Sequence, residues 1–233
     1  TIPDASIEDH TQDTVMIAVQ GPLAIDTFSR ISDITINTLE SFHTTYSRTS
    51  TGEMLVARTG YTGEDGIELI ADNATGVILW NSLLGEGVAP CGLVARDSLR
   101  LEAALRLWGS DMDTTVTPFE AGLGRFVDLD KADFRGRDAL LKAKEYGVRK
   151  RLVGFEMVGR GIARHGASIL EKDAIIGEVT SGGHSPTLNK NIGMGYVPIA
   201  KIQPDTSFLI DVRGREVEAK TVKMPFYRRS SSQ

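Results

Sequence analysis

Met54-Leu55-Val56-Ala57-Arg58-Thr59-Gly60-Tyr61-Thr62-Gly63-Glu64-Asp65-Gly66-Ile67-Glu68-Leu69-Ile70 decides how the first half of the chain folds. Residues 54–58 and 67–70 are short apolar runs of strand length, and residues 60–66 between them hold three glycines. Glycine reaches backbone conformations closed to other residues, so this connection is a tight, irregular loop between two strands. Glu68 interrupts the second strand. Successive side chains of a strand alternate, so Glu68 projects to the face opposite Ile67 and Leu69, which suits a cavity wall.

On the N-terminal side, Val15-Met16-Ile17-Ala18-Val19 reads as a buried strand closed by Gly21-Pro22. Residues 22–31 follow with helical spacing (Leu23, Ile25, Phe28, Ile31), and residues 42–47 form a weak strand. On the C-terminal side, residues 74–84 read as a helix with Val77, Ile78, Trp80 and Leu84 inward. Residues 93–108 read as a stronger helix, with Leu101, Leu105 and Trp108 at i, i+4, i+7 on one face. Strands and helices alternating in this way predict an α+β sandwich over residues 14–108.

The pattern changes further on. Residues 109–148 form a connecting segment with one short helix, about residues 136–145. From Arg151 onward there is no helical period; instead short β-like runs occur at 151–157, 167–170, 175–180, 192–197, 207–212 and 216–223, punctuated by Gly, Pro, Asn and Asp. Such spacing predicts a small antiparallel barrel or sandwich. The expected organisation is therefore 1–108, 109–148 and 149–229, with the main boundary near 148.

Composition bounds the function. With 233 residues, 41% apolar and 24% charged, the chain has the make-up of an ordinary globular protein. No apolar run approaches the roughly 20 residues of a membrane helix. A formal net charge of −5 argues against nucleic acid as the main partner. The single cysteine, Cys91, excludes an internal disulfide or a CxxC metal site and is expected as a small core residue; a reducing cytoplasm fits. The chain opens without Met, and residues 1–13 carry four acids and no Lys or Arg, unlike a signal or transit peptide. The expectation is an N-terminally truncated chain.

Several chemistries find no motif. There is no GxGxxG after a strand, no phosphate loop and no GxSxG elbow; Gly193-Met194-Gly195 lacks a third glycine and a following helix. The four histidines (His10, His43, His165, His184) have no ligand-like spacing, so no metal is expected.

Three segments carry a resemblance. They are residues 58–68, quoted above; Pro90-Cys91-Gly92-Leu93 with Ala95-Arg96-Asp97-Ser98-Leu99-Arg100-Leu101-Glu102-Ala103; and Thr180-Ser181-Gly182-Gly183-His184-Ser185-Pro186-Thr187-Leu188, followed by Gly193-Met194-Gly195-Tyr196-Val197 and Lys223-Met224-Pro225-Phe226. In order and spacing, over about residues 14–229, they resemble the glycine cleavage T-protein family. The resemblance implies a three-domain cloverleaf around tetrahydrofolate. This chain would contribute an α/β-sandwich remnant of that cloverleaf and a small antiparallel β-barrel. It implies an aminomethyltransferase that takes the methylene carbon from the aminomethyl-lipoyl arm of the H-protein onto tetrahydrofolate, releasing ammonia. No metal or nucleotide is implied, and the compartment would be the cytoplasm, or the mitochondrial matrix in a eukaryote.

The resemblance also implies folate-binding residues: Tyr61, Glu68, Arg96 and Tyr227. A pterin presents an amino group and a ring N–H side by side, and a carboxylate such as Glu68 accepts from both in a charge-assisted pair. A solvated strand glutamate is the competing reading. Arg96 offers a guanidinium fork for Glu68 or for a folate carbonyl or carboxylate, while Arg100 is the more structural of the two arginines. Tyr61 offers a ring for stacking, and Glu64 and Asp65 shape the loop. Arg164 is a candidate for the folate glutamate tail or for structure. Residues 213–229, with six basic groups and two acids, would serve that tail or the acidic surface of an H-protein. The family's catalytic aspartate precedes the matched stretch, so no catalytic residue is assigned and the chain alone is expected to be nearly inactive. Arg125 stands where several members carry tryptophan. The alternatives are a folate-dependent demethylase and a non-catalytic folate-binding relative. The latter branch carries a KGCYxGQE-like loop, whereas residues 59–64 contain no cysteine.

Overall fold

A computed structural model describes residues 5–32, 36–49 and 52–229; the first four residues and the serine-rich end at 230–233 lie outside them. Two compact units divide the chain, Thr1–Leu93 and Val94–Gln233.

The first unit is built on a four-stranded antiparallel sheet. Its strands β1 (Thr14–Gln20), β2 (Thr44–Thr49), β3 (Gly52–Ala57) and β4 (Gly66–Asp72) lie in the order β1-β4-β3-β2. Alternation sends Ile17, Val19, Met54, Val56, Ile67 and Leu69 to one face, where they pack with Phe28 of helix α1 (Ala24–Ile31) and with Leu79 and Leu83 of helix α2 (Asn73–Gly85). Glu68 therefore lies on the other face, paired in register with Ala18 of β1 and Ala57 of β3.

Helix α2 does not face as its apolar residues suggest. Val77, Ile78, Trp80 and Leu84 are exposed, Val77 to 62%, while Thr75, Gly76, Leu79 and Leu83 turn inward. Gly76 explains the choice. A Cβ at that position would stand 2.0 Å from Val15 Cγ1, so the helix lies close to β1 through its smallest residue. Asp72 caps the helix, accepting from Thr75 N at 2.9 Å and Thr75 Oγ1 at 2.7 Å. These bonds, the backbone one first, hold its carboxyl below the usual range.

The second unit carries helices α3 (Leu93–Glu102) and α4 (Arg137–Tyr146) and a closed six-stranded barrel. The barrel strands are β5 (Lys150–Met157), β6 (Ser168–Glu171), β7 (Ala174–Ser185), β8 (Lys190–Pro198), β9 (Ser207–Asp211) and β10 (Glu216–Val222), ordered β10-β5-β8-β7-β6-β9. Every pairing is antiparallel, and β9 closes onto β10. Closure leaves no free sheet edge. The expected runs all form strands, that at 175–180 continuing to Ser185.

Val153, Phe155, Ile169, Val179, Val197, Phe208 and Ile210 fill the barrel, with Phe155 edge-on to Phe208 at 5.8 Å between ring centroids. Gly193 supplies what packing requires: its Cβ would lie 2.4 Å from Phe155 Cζ. Leu152, Ile192, Met194 and Tyr196 form a second core with Leu101 and Ala104.

The helix expected over 93–108 stops at Glu102. Ala104 takes a left-handed φ of 52°, Leu105 N bonds to Arg100 O at 2.8 Å and Ala104 N to Leu101 O at 2.9 Å. This is a Schellman ending with alanine at the position glycine usually holds. Leu105 and Trp108 consequently lie beyond the helix, and Trp108 is 64% exposed.

Candidate functional site

The glycine-rich loop is held by side chains from both of its ends and from β1. Arg58 grips Asp65 with two bonds, Nη2 to Oδ2 at 2.7 Å and Nε to Oδ1 at 3.2 Å, and donates to Leu39 O at 2.6 Å. The Asp65 hydrogen bonds push the Arg58 guanidinium toward still firmer protonation. Asp65 thus shapes the loop, as the sequence indicated. Inside the loop lies the amide of Gln20, which donates to Thr59 O at 3.1 Å and Ile67 O at 3.2 Å and accepts from Thr62 Oγ1 at 3.3 Å. The Thr59 hydroxyl donates to Glu68 Oε2. Glu68 is half-buried, and Tyr61, also half-buried, stands in the loop leading to its strand. Sequence reasoning passed over Gln20 and Thr59. The one available signal for Gln20 was a polar residue ending an apolar strand just before Gly21-Pro22.

Arg96 and Tyr227 belong to the second unit. Arg96 is exposed on α3, and the Tyr227 N–H donates to Glu102 O at 2.8 Å, at the other end of that helix. Tyr61 and Glu68 sit together in the first unit, Arg96 and Tyr227 in the second.

Arg100 is buried, which accords with the structural role allowed for it. It donates to Asp111 Oδ2 at 2.5 Å, Ser181 Oγ at 2.8 Å and Asp97 Oδ1 at 2.8 Å. Asp111 also accepts from Thr180 Oγ1 at 2.5 Å and Leu107 N at 2.9 Å. Glu102 accepts from Ser185 Oγ at 2.5 Å and Thr187 Oγ1 at 2.7 Å. Residues of the 95–103 and 180–188 segments thus satisfy each other's buried polar groups, with Asp111 as a third party. The Tyr196 hydroxyl donates to Asp111 O at 2.8 Å. Burial, reinforced by the Asp111 charge, pushes that phenol up to about 12.

The remaining candidates fall as follows. Arg125 lies over the Phe126 ring at 4.7 Å, in a 3-10 turn. Arg164, His165, Asp211 and Arg213 line a cleft of about 510 Å³ at the barrel surface, with Arg164 donating to Gly182 O at 3.4 Å. Cys91, expected in the core, is exposed, because Pro90-Cys91-Gly92 lies in the connection between α2 and α3. Among the described residues, no three His, Cys, Asp or Glu side chains gather as metal ligands, and no helix is long and apolar enough to cross a membrane.

Two family models match the chain. The GCVT N-terminal domain model matches residues 1–131, and the glycine cleavage T-protein C-terminal barrel domain model matches residues 150–228. The aminomethyltransferase of Synechococcus elongatus is 46% identical over 229 residues, covering 98% of this chain and 62% of the relative. That of Thermosynechococcus vestitus is 46% identical over 230 residues, covering 98% and 63%. The crystal structure of glycine cleavage system aminomethyltransferase T from Bartonella henselae superposes with a TM-score of 0.85 at 33% identity, over 92% of this chain and 60% of that one. The chain spans about three-fifths of the length of these relatives. Motifs, barrel and relatives agree: the chain belongs to the glycine cleavage T-protein family.

Proposed function

We propose that the protein is an aminomethyltransferase of the glycine cleavage system, moving the methylene carbon of an aminomethyl-lipoyl H-protein onto tetrahydrofolate. The carbon gives up its bonds to the lipoyl sulfur and the amine and forms bonds to two folate nitrogens. The two protons released from those nitrogens leave on the thiol and on ammonia.

The setting of Glu68 carries this reading. An acceptor-only carboxylate stands on the sheet face opposite the core, and its in-register neighbours on both sides, Ala18 and Ala57, are among the smallest side chains available. A flat heterocycle presenting two adjacent N–H groups fits such a place, because the carboxylate can take both and neither neighbour blocks the approach. Tyr61 would stack on the ligand. Arg96 would meet a folate carbonyl or carboxylate, and Tyr227 would complete the contact set. Residues 213–229 would draw in the glutamate tail or the H-protein. The domain scheme 1–108, 109–148 and 149–229 goes with this reading; the two family models leave residues 132–149 between them, mostly within the connecting segment. The compartment would be the cytoplasm, or the mitochondrial matrix in a eukaryote.

The test is ammonia release by the full-length gene product supplied with aminomethyl-loaded lipoyl H-protein, with and without tetrahydrofolate. Folate-dependent release is expected, and Glu68→Ala should weaken tetrahydrofolate by about 1.5–3 kcal/mol, the range for a hydrogen bond to a charged group. No folate-dependent release overturns the assignment, and unchanged affinity in folded Glu68→Ala overturns the role of Glu68. Turnover of a methylated donor without H-protein would move the protein to the folate-dependent demethylases.

A further inference from the structure

The Gln20 amide joins the two ends of the Glu68 hydrogen bond. One of its N–H groups binds the carbonyl of Thr59, whose hydroxyl meets Glu68; the other binds the carbonyl of Ile67, the residue before Glu68. Its oxygen is taken by Thr62, so all its polar atoms have protein partners. Two glycines make room for it. A Cβ at Gly60 would lie 1.8 Å from Gln20 Oε1, and one at Gly66 would lie 2.6 Å from Gln20 Cδ. A side chain at either position would displace the amide and release the loop.

We propose that Thr59 is a positioning residue that fixes the rotation of the Glu68 carboxylate, and that Gln20 is the brace holding Thr59 in place. The proposal rests on the reading of Glu68 as the pterin acceptor. The terminal torsion of a glutamate is broad and poorly fixed by its own rotamer preferences. A donor on one oxygen removes that freedom and leaves the other oxygen, with the remaining lone pair of the first, at set directions. Two adjacent N–H groups then meet an acceptor pair that is already ordered, so less is lost on binding. A carboxylate free to swing would bind the same donors with the ordering still to be done.

The experiment titrates tetrahydrofolate into the full-length gene product by calorimetry, comparing wild type, Thr59→Val, Thr59→Ala, Thr59→Ser, Glu68→Gln and the Thr59→Val/Glu68→Gln pair, each checked for folding by its Tm. Thr59→Val keeps the branched shape and removes the hydroxyl; binding should weaken about tenfold, the scale of one hydrogen bond to a charged group. Thr59→Ser should stay within about twofold of wild type, since the donor survives. In the Glu68→Gln background, Thr59→Val should change little, because positions that act through one another are not additive. KM for tetrahydrofolate should rise in Thr59→Val while KM for H-protein does not. Wild-type affinity in Thr59→Val, or in Thr59→Ala if the valine variant fails to fold, alongside weakened Glu68→Gln, overturns the positioning role and leaves Glu68 standing. Additive losses in the pair also overturn it. Wild-type affinity in Glu68→Gln, or no binding by wild type, removes the underlying reading as well.

Discussion

Replacing Arg100 with leucine should be among the costliest single changes in the barrel unit. Arg100 is 3% exposed and its partner Asp111 0%. The guanidinium meets Asp111 at 2.5 Å and Ser181 at 2.8 Å. Leucine removes the positive charge and leaves Asp111 in the interior with two donors, Thr180 Oγ1 and Leu107 N. Two such bonds do not offset an uncompensated interior charge; breaking a buried pair by removing one member typically costs about 3–5 kcal/mol. Against a domain stability of roughly 5–15 kcal/mol, that is at least about a fifth of the whole. Because two units need not unfold together, the measurement is urea denaturation with hydrogen exchange read in β7, whose Thr180 and Ser181 belong to the network. Adding Asp111→Asn removes the stranded charge; its one amide oxygen can still accept from Leu107 N, and its NH2 then faces the Thr180 hydroxyl, which can turn to accept. The double variant should therefore recover at least about 1 kcal/mol over Arg100→Leu. A loss below about 1 kcal/mol in Arg100→Leu, or no recovery in the double variant, would refute the account of Arg100 as one half of a buried charge pair.

Other outcomes follow from the same structure. The Tyr196 phenol ionises at the ordinary value of about 10 when unfolded but near 12 when folded, so stability should fall as pH rises through that window. Tyr196→Phe should flatten that part of an alkaline Tm profile. Asp72 has the opposite sign: its carboxyl is held below the usual range by Thr75, so its contribution is present at neutral pH and lost as pH falls through the lowered value. Asp72→Asn should shrink the acid-dependent part of the Tm, measured between about pH 2 and 5. Gly193→Ala should cost about 1–3 kcal/mol by urea denaturation, since its methyl would press on Phe155 inside a filled barrel.

Much of the strand architecture was legible because period-2 alternation and turn residues are local. Ile67 and Leu69 face the core and Glu68 does not, as alternation requires. The facing of α2 was not legible. The helix is apolar nearly all round, and without a polar stripe its sequence cannot orient it. Its true inward side includes Thr75 and Gly76, chosen by close approach to β1. The end of α3 was hidden for a different reason: alanine occupies the left-handed position, and Leu105 and Trp108 happened to continue the helical spacing beyond it. Within the site, the carboxylate could be picked out from its place on a strand. Thr59 could not, because its bond to Glu68 depends on how the glycine loop folds back between β3 and β4, and Gln20 could not, because its contacts are made only once β1 lies against β4.

That last dependence bears on the order of assembly. Gln20 is 39 residues from Thr59 and 47 from Ile67 along the chain. A peptide containing only the glycine loop and its flanking hairpin would keep the Arg58–Asp65 and Thr59–Glu68 pairs but lack the Gln20 amide around which Gly60 and Gly66 close. Such distant pairings form late, after the entropy of a long loop has been spent. The wall proposed for the ligand is then one of the last features to mature, so ligand affinity would report that the whole sheet has zipped.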